Sequence, residues 1–160
     1  MSDRVAVMRD GGIEQLGAPS ELYENPATRY VADFIGESNF IDGIVTDRLD
    51  ESMYAFCTRD SRNRLRALSS QPFKVGAEVT CAVRPEKVSL DADGHANGNV
   101  CQGTVRELIY GGELTRCFVE IGNDVLITVK IPTRMSVPVP PTGASVTLHW
   151  NPAECRLFPL

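Results

Sequence analysis

The chain has 160 residues, 42% hydrophobic and 23% charged, a globular composition that excludes collagen-like, disordered and membrane-embedded classes. A net charge of −5 would repel a nucleic-acid backbone unless the basic residues shared one face, and Lys and Arg are instead scattered from Arg4 to Arg156. No stretch approaches the roughly 18 apolar residues of a membrane span, and Met1-Ser2-Asp3-Arg4 opens no signal peptide. No direct membrane insertion and a cytosolic location are therefore expected.

Val5-Ala6-Val7-Met8 and Ile13-Glu14-Gln15-Leu16 flank Arg9-Asp10-Gly11-Gly12, and Asp-Gly between two short apolar runs predicts a β-hairpin because its turn needs positive φ. Pro19 suits the first position of a short helix through Glu21, Leu22 and Tyr23. A second helix is predicted with Asn25 as N-cap, Pro26 in its first turn and Gly36 as its stop. Within it Ala27, Tyr30, Val31, Phe34 and Ile35 form one apolar face that must dock on something.

From Phe40 the hydrophobic period changes to two. Strands are predicted near 40–46, 53–58, 64–68, 77–84, 100–109, 114–121, 124–131, 145–150 and 154–158. Many short strands with turn signals such as Gly111-Gly112 and Gly122-Asn123-Asp124 predict small barrels rather than a parallel sheet. The polar stretch Asp91 to Asn99 is the expected loop between two groups of strands. The segment Pro132 to Gly143, with four prolines, should be extended and should cover a barrel edge.

Catalytic signatures are missing. A P-loop needs GxxxxGK[ST] so that backbone amides and a Lys meet the phosphates, and the chain has no Gly-Lys pair. The two histidines, His95 in the polar loop and His149 before Trp150, have no neighbour that argues for acid–base work. Asp91 and Asp93 lack the remaining ligands of a calcium loop. The five cysteines are far apart with no CxxC pair, so zinc is not expected and most should be buried reduced thiols. The Arg59, Arg62, Arg64, Arg66 group is interrupted by Asp60 and reads as a solvated hairpin.

The order of these segments is similar to a known family. Ser2 to Met8, Gly12-Ile13-Glu14-Gln15-Leu16-Gly17, Pro19, Glu21-Leu22-Tyr23, Pro26, Phe34-Ile35-Gly36 and Asn39-Phe40 resemble the end of the ATPase subunits of maltose-, polyamine- and ferric-ion-type ABC importers. Ala82-Val83-Arg84-Pro85-Glu86 resembles the family's Arg-Pro-Glu signature, and Gly103-Thr104-Val105, Tyr110-Gly111-Gly112 and Thr115-Arg116 continue the match. The resemblance implies that residues 1–39 are the end of the ATP-hydrolysing domain, a hairpin plus two helices. Residues 40–160 would be the all-β TOBE regulatory domain of two OB-like subdomains built from interleaved strands.

The resemblance implies a regulatory, dimer-forming function in an importer, with the Phe34 to Phe40 junction leaning towards the polyamine (spermidine/putrescine) branch. The family's Walker motifs, ABC signature, catalytic carboxylate and switch histidine lie upstream. The expected reading is a piece of a longer ATPase subunit with no catalysis by itself, in which ATP and Mg bind through residues absent here and no cofactor or metal is held. The implied partners are a second copy and the membrane subunits, at the inner face of the cell membrane. Arg84, Pro85, Glu86, Tyr110, Gly111, Thr115 and Arg116 are structural or interface candidates. Arg84 and Glu86, two apart in a strand, would share a face and either pair with each other or neighbouring backbone, or meet a partner. The face of Tyr30, Val31, Phe34 and Ile35 should pack back on the barrels or on another copy. Two other readings stay open: an oxyanion-sensing module, as in related barrels of molybdate systems, and nucleic-acid binding, against which the acidic balance weighs.

Overall fold

The structure, a computed structural model, describes residues 3–90, 97–122, 125–133 and 138–160. The chain opens with β1 (Val5–Arg9) and β2 (Gly12–Gly17), an antiparallel hairpin. Its two-residue turn has Asp10 at φ 50° and Gly11 at φ 82°, the paired positive φ that matches the strands' right-handed twist. Two short helices follow, α1 (Pro19–Glu24), with Pro19 in its first turn, and α2 (Arg29–Ile35).

The second helix starts later than its sequence predicts. Thr28, not Asn25, is the N-cap, its hydroxyl accepting from Val31 N at 3.3 Å. Asn25 and Ala27 are tied up outside the helix, Asn25 O accepting from Gln15 Nε2 at 3.1 Å and Ala27 N donating to Gln15 Oε1 at 2.8 Å. The stop at Gly36 is not a left-handed cap either. Its φ of −172° is extended, and a Cβ there would lie 3.1 Å from the Tyr23 ring and 3.3 Å from an Arg84 nitrogen. Glycine suits this position through close approach rather than through φ.

The remainder is all-β, as predicted. Strands β3 (Asn39–Arg48), β4 (Met53–Thr58), β5 (Arg64–Leu68) and β6 (Glu78–Val83) close into a five-stranded barrel with β11 (Cys155–Pro159), in the order β11-β5-β4-β3-β6. Between β6 and β11 the chain makes a four-stranded antiparallel sheet, β10-β7-β8-β9, from β7 (Asn99–Tyr110), β8 (Leu114–Ile121), β9 (Val125–Pro132) and β10 (Ser145–Trp150). The last strand thus returns to the barrel that the first strands began. The final strand pairs antiparallel with β6 from Cys155↔Val83 to Pro159↔Val79 and meets β5 at one position.

Barrel and sheet repeat one design. Asn39, Gly43 and Val45 on β3 recur as Asn99, Gly103 and Val105 on β7, and the ladder slips just after each valine. After β6 and β10 come short 3-10 turns at Pro85–Lys87 and Pro152–Glu154, each begun by its proline. The bridge of Ser89 to His149 on β10 mirrors that of Arg156 to Ala82 on β6. The two asparagines tie the halves together. Asn39 Nδ2 donates to Thr128 O at 2.9 Å while its Oδ1 accepts from Thr128 N at 2.8 Å; Asn99 does the same to Arg66 O and N, both at 2.8 Å.

Alternation along β8, with Thr115, Cys117, Val119 and Ile121 inward, feeds one core that runs through both halves from Ile41 and Phe56 to Leu148 and Trp150. On β6 five successive residues are buried, because the inner face lines the barrel and the outer is covered by Ala32 of α2 and Phe158 of β11. Cys81, Cys101, Cys117 and Cys155 are buried and Cys57 half-buried, all free thiols.

The loop reading from Asp91 to Asn99, with Asp91, Asp93 and His95, falls largely on 91–96, outside the described residues, as do 123–124 and 134–137 of the other turns. The described end of the proline-rich segment lies along β7, with Gly143 N donating to Val105 O at 2.8 Å. The arginine group sits on the β4–β5 hairpin, with Arg59, Arg62 and Arg64 each facing a carboxylate, of Glu78, Asp60 and Asp47.

Candidate functional site

Arg84 follows the last residue of β6, and Pro85, locked near helical φ and lacking an N–H, ends the ladder and begins the 3-10 turn. Arg84 is 7% exposed, and its guanidinium faces the N-terminal helices. Its Nη1 donates to Ala32 O at 2.9 Å, Glu37 O at 3.1 Å and Ser38 Oγ at 2.7 Å, and its Nη2 to Tyr23 O at 3.2 Å. Its Cζ lies over the Tyr23 ring, 4.3 Å from the ring centre. Burial draws its pKa down from the usual guanidinium value and the charge of Glu24 opposes this, yet an arginine stays ionised. With no bonded carboxylate among the described residues, this buried cation is carried by carbonyl dipoles, a hydroxyl and a π face, each charge-assisted bond contributing about 1.5–3 kcal/mol.

The shared strand face expected for Arg84 and Glu86 does not form. Strand geometry stops at Val83, so Arg84 and Glu86 lie across a turn, Arg84 buried inward and Glu86 exposed. Backbone is the main partner Arg84 finds.

The crossover from α2 to β3 carries a second charged contact. Arg116 on β8 donates from Nη1 to Glu37 Oε1 at 2.6 Å, and Lys130 Nζ on β9 lies 3.2 Å from Glu37 Oε2. The hydrogen bond from Arg116 holds the Glu37 carboxyl below its ordinary range, with Lys130 adding and burial opposing. Two residues on, Asn39 grips β9 through Thr128.

Of the other candidates, Pro85 is buried within its turn. Tyr110, 72% exposed, stands at the tip of the β7–β8 hairpin beside Ile109, and Gly111 N closes that tip on Leu114 O at 2.8 Å. Thr115 faces the core at 1% exposure and offers no surface to a partner in this fold. On α2, Val31 is fully buried with Val7 and Leu22, while Tyr30 and Ile35 pack at the edge of that cluster. That face thus docks mainly on the hairpin and α1, and the barrel takes the neighbouring Ala32. Phe34 departs from the expected docking: stacked 5.9 Å from Tyr30, it remains 65% exposed.

A polar cleft of about 240 Å³ opens beside Arg84, with Tyr23, Glu24, Lys87, Glu154 and Arg156 in its walls. A second, of about 510 Å³, lies between barrel and sheet, where Phe40, Asp42 and Asp60 face Ile121 and Leu126. No group of three or more His, Cys, Asp or Glu able to hold a metal ion occurs among the described residues. Among the described residues, neither ring nitrogen of His149 has a hydrogen-bond partner.

Sequence reasoning missed Glu37, Asn39, Asn99 and Lys130. For the asparagines the signal was present, since Asn-x3-Gly-x-Val occurs at 39–45 and again at 99–105.

Comparison with known proteins fits this architecture. Residues 81–158 match the family model described as the TOBE domain. The spermidine/putrescine import ATP-binding protein PotA of Thermobifida fusca is 37% identical over 99% of this chain and 41% of its own length. That of Rubrobacter xylanophilus is 35% identical over the same shares, and that of Pseudomonas fluorescens 38% over 84% of this chain and 35% of its own. The chain thus spans about two-fifths of these relatives. The cytoplasmic molybdate-binding protein ModG, solved with molybdate bound, shares the fold with a TM-score of 0.64 at 17% identity, over 76% of this chain and 96% of that one. Strand order, the TOBE match and relatives that align along nearly all of this chain agree: the chain is similar to the TOBE-containing part of the ATP-binding subunits of ABC-type importers.

Proposed function

We propose that this chain is the regulatory and dimer-forming part of the ATP-binding subunit of a polyamine importer, working at the inner face of the membrane beside the transporter's membrane subunits. The observation that carries the reading is the 37% identity to a spermidine/putrescine import ATP-binding protein across 99% of the chain. ATP and magnesium would be bound by the rest of such a subunit, and this region would act by holding two subunits together. A persistent contact between two TOBE regions keeps their ATPase domains at high local concentration, so that nucleotide need only drive closure.

Residues 1–39 are then the edge of the ATPase domain. Supporting this, the hairpin turns Ala6, Met8, Ile13 and Leu16 away from its buried cluster, with Met8 at 57%, Ile13 at 60% and Leu16 at 46% exposure, and Phe34 is also bare. On the strand domain, Tyr110 and Ile109 offer the second copy an apolar tip. Light scattering after size exclusion, over a range of concentrations, tests the dimer. A mass near twice 17.5 kDa is expected, and a monomer at every concentration would overturn the claim that these residues dimerise by themselves.

A further inference from the structure

The two halves of the strand domain follow one plan, and on one face they depart from it together. In the second half the residue before the turn proline is Asn151, which caps its own turn, Oδ1 accepting from Ala153 N at 2.9 Å. In the first half that place belongs to Arg84, which reaches out of the turn to α1, α2 and the crossover. Two residues earlier the second half has His149, where the first has Ala82. A small side chain there admits Ala32 of α2 into contact with Phe158 and Phe40. At the next equivalent position Val100 is replaced by Phe40, whose ring lies 4.8 Å from the guanidinium of Arg29 on α2. Each departure serves the seating of the helical segment.

The four crossover residues are anchored one by one. Gly36 fits against the Tyr23 ring and Arg84, and the Glu37 carbonyl is held by Arg84 while its carboxylate is held by Arg116 and Lys130. Ser38 Oγ accepts from Arg84 and donates to Ala32 O at 3.3 Å, and the Asn39 amide is locked to Thr128. Four successive residues thus touch the helices, the barrel and the sheet. A flexible tether would leave its polar groups to water.

We propose that residues 36–39 and Arg84 form a rigid joint that fixes the hairpin–helix segment at one angle to both halves of the strand domain, with Arg84 as its positioning residue. The mechanical consequence rests on the reading of residues 1–39 as the edge of the ATPase domain: movement of that domain would reach the TOBE barrel and sheet without slack. The joint itself is a property of this chain and is tested on it alone, so failure of that reading leaves the test unaffected.

Hydrogen exchange followed by mass spectrometry on the wild type, Arg84→Ala, Arg84→Lys and Glu37→Gln separates a joint from ordinary core packing. Lysine keeps the charge but cannot span the Tyr23, Ala32 and Glu37 carbonyls at once. Arg84→Ala and Arg84→Lys should each speed exchange in α1 and α2 by at least about tenfold, with β3 to β6 at wild-type protection. The distance distribution between spin labels at Asp33 and Glu107, in a Cys57→Ser background, should broaden in the same variants. Unchanged helices with an unchanged distribution would overturn the proposal, and so would parallel loss of protection in the barrel strands. Should Arg84→Ala fail to fold, Arg84→Lys and Glu37→Gln carry the test, the latter expected to broaden the distribution with the barrel intact.

Discussion

Replacing Asn39 by alanine removes one amide that closes two bonds across the barrel–sheet junction, to Thr128 O at 2.9 Å and from Thr128 N at 2.8 Å. The side chain belongs to a residue only 6% exposed, so water cannot freely take its place. Two such bonds contribute about 0.5–1.5 kcal/mol each, and roughly 1–3 kcal/mol should be lost in all. Asn39→Asp is the sharper probe, since a carboxylate can accept from Thr128 N but faces the Thr128 carbonyl without a proton to donate; it should be at least as damaging as alanine at neutral pH. Asn99→Ala repeats the experiment on the other half, where Arg66 N and O lose their partner. Urea titration measures all three, with lower midpoints and wild-type slopes expected. If Asn39→Ala costs less than about 0.5 kcal/mol, or Asn39→Asp is tolerated, the amide is not the clamp the geometry describes.

Gly43→Ala should destabilise by more than about 2 kcal/mol, because a Cβ there would press into the Cys57 carbonyl and come within 2.9 Å of the Phe56 ring. Gly76→Ala, at φ 93° in open space, should cost only about 1 kcal/mol of backbone strain, and equal thermal shifts for the two would refute the steric argument. The Glu37 carboxyl has a depressed pKa, so its contribution is complete above the unfolded pKa and is lost as pH falls through the folded one. Glu37→Gln should therefore be less stable than wild type at neutral pH, by the modest amount of a pair 38% exposed on the Glu37 side, and should match it once the pH drops below the folded pKa. A gap that persists in acid would contradict the ion-pair origin. Thiol titration of the native chain should label Cys57 first, since the others are buried and burial pushes the Cys101 thiol up to about 12; rapid labelling of all five without denaturant would overturn that burial.

What the sequence determined by itself was the local grammar. Alternation gave the strands because side chains on a pleat face opposite ways, and β4, β5, β8 and β10 fall at their predicted limits. Asp10-Gly11 gave the hairpin because few other pairs accept two positive φ values. Family motifs marked Arg84-Pro85-Glu86 as a unit, although the shared strand face expected of Arg84 and Glu86 gave way to a turn. What the sequence could not supply was the partner of each polar side chain. Arg84 is separated by 52 residues from Ala32, Glu37 by 79 from Arg116 and Asn39 by 89 from Thr128, distances over which no local periodicity operates. Thr28 displaced Asn25 as the helix cap because Gln15, across on the hairpin, held the intervening chain out of the helix. Closure of the barrel likewise rests on β11, which joins β6 and β5 although the whole four-stranded sheet lies between β6 and β11 in the chain. Short-range preference set each segment's shape, and only the tertiary structure decided which buried donor met which acceptor.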